Sequence, residues 1–131
     1  MLIDSNIIIY AAQPDQPSLR TLIVEHTPFV SAVSYVEVLG YHQLTEDERA
    51  YYTSFFQAAP VLPISSPVLE QAVKLRQLKK MTLGDALIAA TALIHNLTLL
   101  THNKRDFQWI PNLAVLDPLT DPLPHSTEDA Q

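Results

Sequence analysis

The sequence predicts an α/β/α sandwich on a short, mainly parallel β-sheet, and two observations carry that prediction. Short apolar runs (1–3, 29–33, 61–64, 97–100, 114–116) alternate with helix-length segments, as in strands buried on both faces by crossover helices. Several helical segments open on a hydroxyl residue or proline. The chain has no internal repeat, and its two glycines, at 40 and 84, form neither a Gly-x-Ser-x-Gly elbow nor a nucleotide-binding loop.

In chain order, Met1-Leu2-Ile3 reads as a buried strand running straight into Asp4, with 6–12 as the helix or turn that follows. Pro17 opens a second helix, to about His26. Phe29 to Val33 is the next strand, and Ser34-Tyr35-Val36-Glu37 repeats the serine-to-acid pattern of a helix start, which puts Glu37 in a first turn. Thr45-Glu46-Asp47-Glu48 opens a helix to about Ala59 in the same way. Val61 to Ile64 is a third strand, and Ser66-Pro67 caps a helix to about Leu78. Thr82-Leu83-Gly84-Asp85 then starts a helix that is small and apolar on every face from Ala86 to Ile94, so it belongs at the centre of the core with its charged first turn at the rim. Leu97 to Leu100 is a fourth strand. Residues 101–107 make a polar turn into a brief helix, and Ala114 to Leu116 is the last strand.

With 131 residues and 47% hydrophobic content, one domain fills the chain, over 1–117, because a core of this size buries about two-thirds of the unfolded surface. From 118 to 131 Asp, Pro, Ser and Thr dominate, so a flexible tail is expected. Cysteine is absent, which excludes thiol nucleophiles, disulfides and cysteine zinc sites. No apolar run approaches a membrane span, and Asp4 interrupts any secretion signal, so a cytoplasmic protein without membrane contact is expected. A net charge of −6 argues against a general basic nucleic-acid binder, yet six of the eight Lys and Arg residues lie between positions 74 and 105. A solvated helix face and a polyanion contact are equally open for that run.

The acids carry the chemistry. In parallel sheets, ligands bind beyond the carboxyl ends of the strands. Asp4 and Asp106 follow strands one and four, Glu37 follows strand two, and Asp85 heads a helix expected to run toward the foot of strand four. All four can meet at one rim. Carboxylates crowded there repel, and they either bind protons or collect a cation. An oxygen-only donor set suits Mg²⁺ or Mn²⁺ and phosphodiester chemistry. Each acid also has a plainer reading. Glu37 and Asp85 fit helix capping and Asp106 an ordinary turn, whereas Asp4 at the end of an apolar strand is harder to explain without a partner.

Leu2-Ile3-Asp4-Ser5-Asn6, Ser34 to Leu39, Leu83-Gly84-Asp85-Ala86-Leu87-Ile88-Ala89-Ala90-Thr91-Ala92 and Leu100 to Phe107, in that order, resemble the four motifs of PIN-domain ribonucleases, with a length and spacing similar to VapC-type toxins. The resemblance implies a Mg²⁺-dependent endoribonuclease acting on RNA, often a homodimer, inhibited by a cognate antitoxin protein that reaches into the cleft. It implies Asp4, Asp85 and Asp106 as metal ligands and Glu37 as a partner acting through water or as a base. It further implies that Asn6, Thr101 and Asn103 orient them by hydrogen bonds. Lys104 and Arg105 could contact the RNA backbone, or could merely be solvated.

Other readings stay open. An aspartyl-phosphate phosphatase could use Asp4 as nucleophile, although Asn6 stands where such enzymes usually carry a second aspartate. A catalytically silent RNA- or partner-binding domain would keep the fold without dense metal coordination. Tyr51, Tyr52, Phe55 and Phe56 share a helical stripe that is either core or an interface for a second copy or an antitoxin.

Overall fold

The computed structural model describes residues 1–123 of the chain. Its element order is β1 (Leu2–Ile3), α1 (Ser5–Ala11), α2 (Pro17–His26), β2 (Phe29–Ser31), α3 (Ala32–Leu39), α4 (Glu46–Ala58), β3 (Val61–Leu62), α5 (Ser66–Leu78), α6 (Leu83–Ile94), β4 (Leu99–Leu100), α7 (Lys104–Phe107) and β5 (Val115–Leu116). The five strands form one sheet in the order β3-β2-β1-β4-β5. Every pairing is parallel, with Leu2 opposite Phe29 on one side and Leu99 on the other. The order reverses at β1, so the crevice beyond the ends of β1 and β4 is the switch point where ligands of open parallel sheets bind.

Alternation within strands of two or three residues explains the layers. Leu2 and Leu99 face one side, where Val68, Ala72 and Leu75 of α5 and Ala86, Ala89 and Ala90 of α6 pack with Phe107. Ile3, Val30 and Leu100 face the other, against Ile7 and Ile8 of α1, Val38 of α3 and Tyr52 and Phe56 of α4. Successive side chains of a strand point to opposite faces, so even these short strands feed both cores. As expected, α6 is central: Ala86, Ile88, Ala89, Ala90, Thr91 and Ala92 are all buried. The Thr91 hydroxyl is satisfied within the helix by donating to the Leu87 carbonyl at 2.7 Å.

Several helix starts follow the expected chemistry. Thr45 and Glu48 form a reciprocal capping box, and the Thr82 hydroxyl accepts from the Asp85 N–H at 3.1 Å. The start of α5 lies one residue earlier than expected, capped by Ser65.

The start of α3 departs further from expectation. Its cap is Ser31, whose hydroxyl accepts from the Val33 N–H at 3.1 Å, so the helix opens three residues before Ser34 and Glu37 lies in its second turn. The reason is burial. Ser31 and Ser34 are both fully buried, and each hydroxyl needs a partner there. Ser31 finds its partner in the helix start, and Ser34 finds one in the Ser5 hydroxyl at 2.8 Å.

The aromatic stripe of α4 divides. Tyr52 and Phe56 belong to the core, Phe55 packs against its edge, and Tyr51 is exposed. Residues 118–123, assigned by composition to the tail, begin with a turn in which the Asp121 N–H donates to the Asp117 carbonyl at 2.8 Å. Asp117 is buried and Leu123 packs against the core; the rest of the tail, 124–131, lies outside the described residues. Among the described residues no helix is long and apolar enough to cross a membrane.

Candidate active site

Asp4 sits at the junction of β1 and α1, and both of its oxygens are claimed. Oδ1 accepts from the Ser5 N–H at 2.8 Å, which caps α1, and Oδ2 accepts from the Thr101 hydroxyl at 2.8 Å. The Thr101 hydroxyl in turn accepts from the Asn103 N–H at 3.0 Å. A relay thus runs from the loop after β4 into the carboxylate after β1, across two strands that are neighbours in the sheet. Asp4 is only 5% exposed, and this burial is the main reason its pKa is pushed up to about 6. Thr101 and Ser5 pull it back down, while the nearby Asp85 and Glu37 raise it further.

Asp85, in the first turn of α6, is also held above the usual carboxylate range. Burial is again the largest cause, opposed by a hydrogen bond with Thr82 and reinforced by Asp106 and Glu37. Asp85 is therefore the hub, close enough to Asp4, Glu37 and Asp106 for repulsion to be felt with each. Carboxylates placed this way favour a proton or a shared cation.

Glu37 reaches the cluster from α3 and is steered by a serine. Ser5 Oγ lies 2.8 Å from Glu37 Oε1 and 2.8 Å from Ser34 Oγ; with one proton to give, Ser5 donates to the carboxylate and accepts from Ser34. Gly84 makes room for this. A Cβ built there would lie 2.6 Å from Glu37 Oε2, so the Glu37 carboxylate occupies the space that any other residue at 84 would fill.

Of the residues expected to support the acids, Thr101 bonds Asp4 through its side chain and Asn103 does so indirectly through its backbone N–H. Asn6 Oδ1 accepts a long bond, 3.5 Å, from the His102 N–H. Lys104 is paired with Asp121 at 2.8 Å. Arg105 lines a cleft with Asp85 and Asp106. Sequence reasoning assigned no role to Ser5, Gly84 or Trp109. The signal for Gly84 was available, since a glycine in the first turn of an otherwise alanine-rich helix costs stability and needs a reason. Among the described residues, no three His, Asp or Glu side chains are grouped so as to hold a metal ion. The four acids form a linked series around Asp85, and their donor atoms are all oxygens.

The model of the PIN domain family matches residues 1–112. A comparison with curated protein sequences returns no significant match. Among solved structures, a chain of a toxin–antitoxin complex from Klebsiella pneumoniae is 28% identical, with a TM-score of 0.72 over 89% of this chain and 96% of that one. A chain of the DNA-bound VapBC complex from Salmonella typhimurium is 21% identical, with a TM-score of 0.75 over 88% and 96%. A chain of FitAcB from Neisseria gonorrhoeae is 23% identical, with a TM-score of 0.72 over 92% and 99%. The parallel sheet, the rim of acids at its switch point and the family match over most of the chain lead to one conclusion: the chain belongs to the PIN-domain family.

Proposed function

We propose that this protein is a metal-dependent endoribonuclease that cuts phosphodiester bonds in single-stranded or loop RNA. We further propose that it is the toxin of a cytoplasmic toxin–antitoxin pair, a homodimer held inactive by its cognate antitoxin. The observation that carries the first part is Asp4: a buried carboxylate at the carboxyl end of the central strand, with Asp85 and Glu37 raising its pKa. Such a group is costly without a cation, and a strongly perturbed carboxylate in a cleft marks a functional site. The second part is supported by the 28% identity to a chain of the Klebsiella toxin–antitoxin complex.

Asp4, Asp85 and Asp106 would hold Mg²⁺, or Mn²⁺, whose hard-cation preference for oxygen ligands suits this donor set. When bound, such an ion supplies charge neutralisation at the phosphate and an acidified water. The chain's own residues then do the positioning. Thr101 and the Ser5 N–H fix the Asp4 carboxylate in one rotamer, and the Asn103 N–H fixes Thr101. Ser5 holds Glu37 with its second oxygen against Gly84, where Glu37 can accept a proton from the attacking water. Asn6 steadies the backbone at His102, and of the two cations of α7 Arg105 shares a cleft with Asp85 and Asp106 while Lys104, paired with Asp121, would meet the RNA backbone only by leaving that partner. A silent RNA- or partner-binding domain is the second reading, favoured by the absence, among the described residues, of a ready-made group of three ligands.

The test is cleavage of structured RNA by the wild-type protein and by Asp4→Ala and Asp85→Ala variants, with Mg²⁺, with Mn²⁺ and with chelator. Metal-dependent cleavage lost in both variants is expected. Metal-independent cleavage that survives both substitutions would end the proposal, and tight RNA binding without any cleavage would move it to the silent reading. Co-expression with the product of an adjoining short reading frame should suppress the activity.

A further inference from the structure

Four cations line one cleft beside the acids. Arg76, at the end of α5, Lys79 and Lys80, on the link to α6, and Arg105 of α7 surround a cavity of about 670 Å³ that also contains Asp85 and Asp106. The chain as a whole is acidic, with a formal net charge of −6, and these four are half of its Lys and Arg residues. None of the four has a carboxylate partner among the described residues, where the ion pairs formed by Lys and Arg come down to Lys104 with Asp121.

Two of the cations are positioned by neutral groups instead. Arg76 Nε donates to the Met81 carbonyl at 3.3 Å. The Lys79 ammonium stands 5.3 Å above the centre of the Trp109 ring, and the Trp109 indole N–H donates to the Asp106 carbonyl at 3.0 Å. Cation–π support of this kind holds a charge in place without neutralising it. The arrangement therefore presents pre-positioned positive charge that no direct ion pair among the described residues neutralises. Outside the cleft, Arg20 is occupied by the carbonyls of Ala11 and Gln13, at 2.8 and 2.7 Å, and Arg49 follows the acidic first turn Glu46, Asp47 and Glu48 of α4, so what sets the four apart is that they share one cleft with the acids.

We infer that this cleft is a backbone subsite for a single-stranded polynucleotide, where Arg76, Lys79, Lys80 and Arg105 bind phosphodiesters flanking the one presented to the acids. The assignment to nucleic acid rests on the nuclease reading above, because the cleft and the acid cluster share Asp85 and Asp106. Guanidinium and ammonium groups bind phosphate by charge-assisted hydrogen bonds without reading sequence, so the subsite contributes affinity and register rather than base choice.

The test is the salt dependence of binding, measured by fluorescence anisotropy with a labelled single-stranded RNA in chelator. Each lost phosphate contact lowers the slope of log affinity against log salt by about 0.7 for a single strand. Lys79→Gln/Lys80→Gln and Arg76→Gln/Arg105→Gln should each weaken binding about tenfold at low salt and lower the slope by about 1.4. Lys74→Gln, an exposed cation of α5 outside the cleft, should change neither. An unchanged slope in both double variants overturns the inference, as does an equal effect of Lys74→Gln. A polyglutamate of matched length that binds as tightly, and is weakened equally by the double variants, would also overturn it in favour of an acidic peptide site. The nuclease reading is judged separately by cleavage in Mg²⁺ or Mn²⁺. Lowered slopes in a protein that never cuts would keep the subsite and remove the nuclease, whereas cleavage with unaltered slopes would do the reverse.

Discussion

Replacing Asp4 by asparagine takes a charge out of the core while leaving a side chain of the same shape, and the geometry fixes what should follow. Asp4 titrates near 6 in the folded protein against 3.8 for the unperturbed group. The folded state therefore holds the Asp4 proton more tightly than the unfolded chain does. Its ionised form costs stability at neutral pH, and that cost disappears as pH falls from about 7 through about 6 toward about 4. Two pKa units correspond to about 3 kcal/mol. Asparagine keeps an acceptor for the Ser5 N–H but turns its amide group toward Thr101, giving back about 1 kcal/mol through one poorer hydrogen bond. The net expectation is a gain of about 2 kcal/mol at neutral pH, about 7 °C in melting temperature for a chain of this length.

Thermal unfolding followed by circular dichroism, in chelator at about pH 7.5 and about pH 4.5, reads this directly. Asp4→Asn should melt above the wild-type protein at the higher pH and lose that margin at the lower. Added Mg²⁺ should raise the wild-type melting temperature more than the variant's, because an ion that binds only the folded state stabilises it. A variant less stable than wild type at neutral pH, or a margin that ignores pH, would show that the buried carboxylate is not strained by its surroundings.

Three further substitutions probe the same architecture. Gly84→Ala pushes a methyl group toward Glu37 Oε2, 2.6 Å away; since no glycine here has positive φ, the helix gains up to about 1 kcal/mol. RNA cleavage should meanwhile fall at least about tenfold as Glu37 is displaced, and a variant that cleaves normally would detach Glu37 from the reaction. Thr101→Val removes the donor to Asp4 Oδ2 and the acceptor of the Asn103 N–H. It should cost about 1–3 kcal/mol in urea unfolding and move the acid limb of the cleavage pH profile upward, since Thr101 lowers the Asp4 pKa. Phe107→Ala empties a fully buried site between α7 and the α5–α6 layer, for a loss of about 3–5 kcal/mol; a loss under about 1 kcal/mol would mean that the core collapses to fill it.

Much of this molecule was legible in its sequence, because the rules involved act over a few residues. Apolar runs of strand length, Thr45 three residues before Glu48, Thr82 three before Asp85 and an acid directly after the first strand are all local patterns. Each corresponds to a local hydrogen bond or a burial preference that needs no knowledge of the rest of the chain. The four acids could be named, but only their spacing was visible.

What the tertiary structure alone decided is which groups meet. The strand order sets β4 beside β1, and only then does Thr101 reach Asp4 across 97 positions of sequence. Ser31 displaces Ser34 as the cap of α3, and the Ser34 hydroxyl pairs instead with Ser5 from the first strand–helix junction, a contact set by the packed sheet rather than by the tetrapeptide. Gly84 faces Glu37, Tyr52 parts from Tyr51, and four cations line one cleft with Trp109 for the same reason. Close approach and exposure are set by the elements that pack together, and those contacts join residues whose separation along the chain carries no local signal.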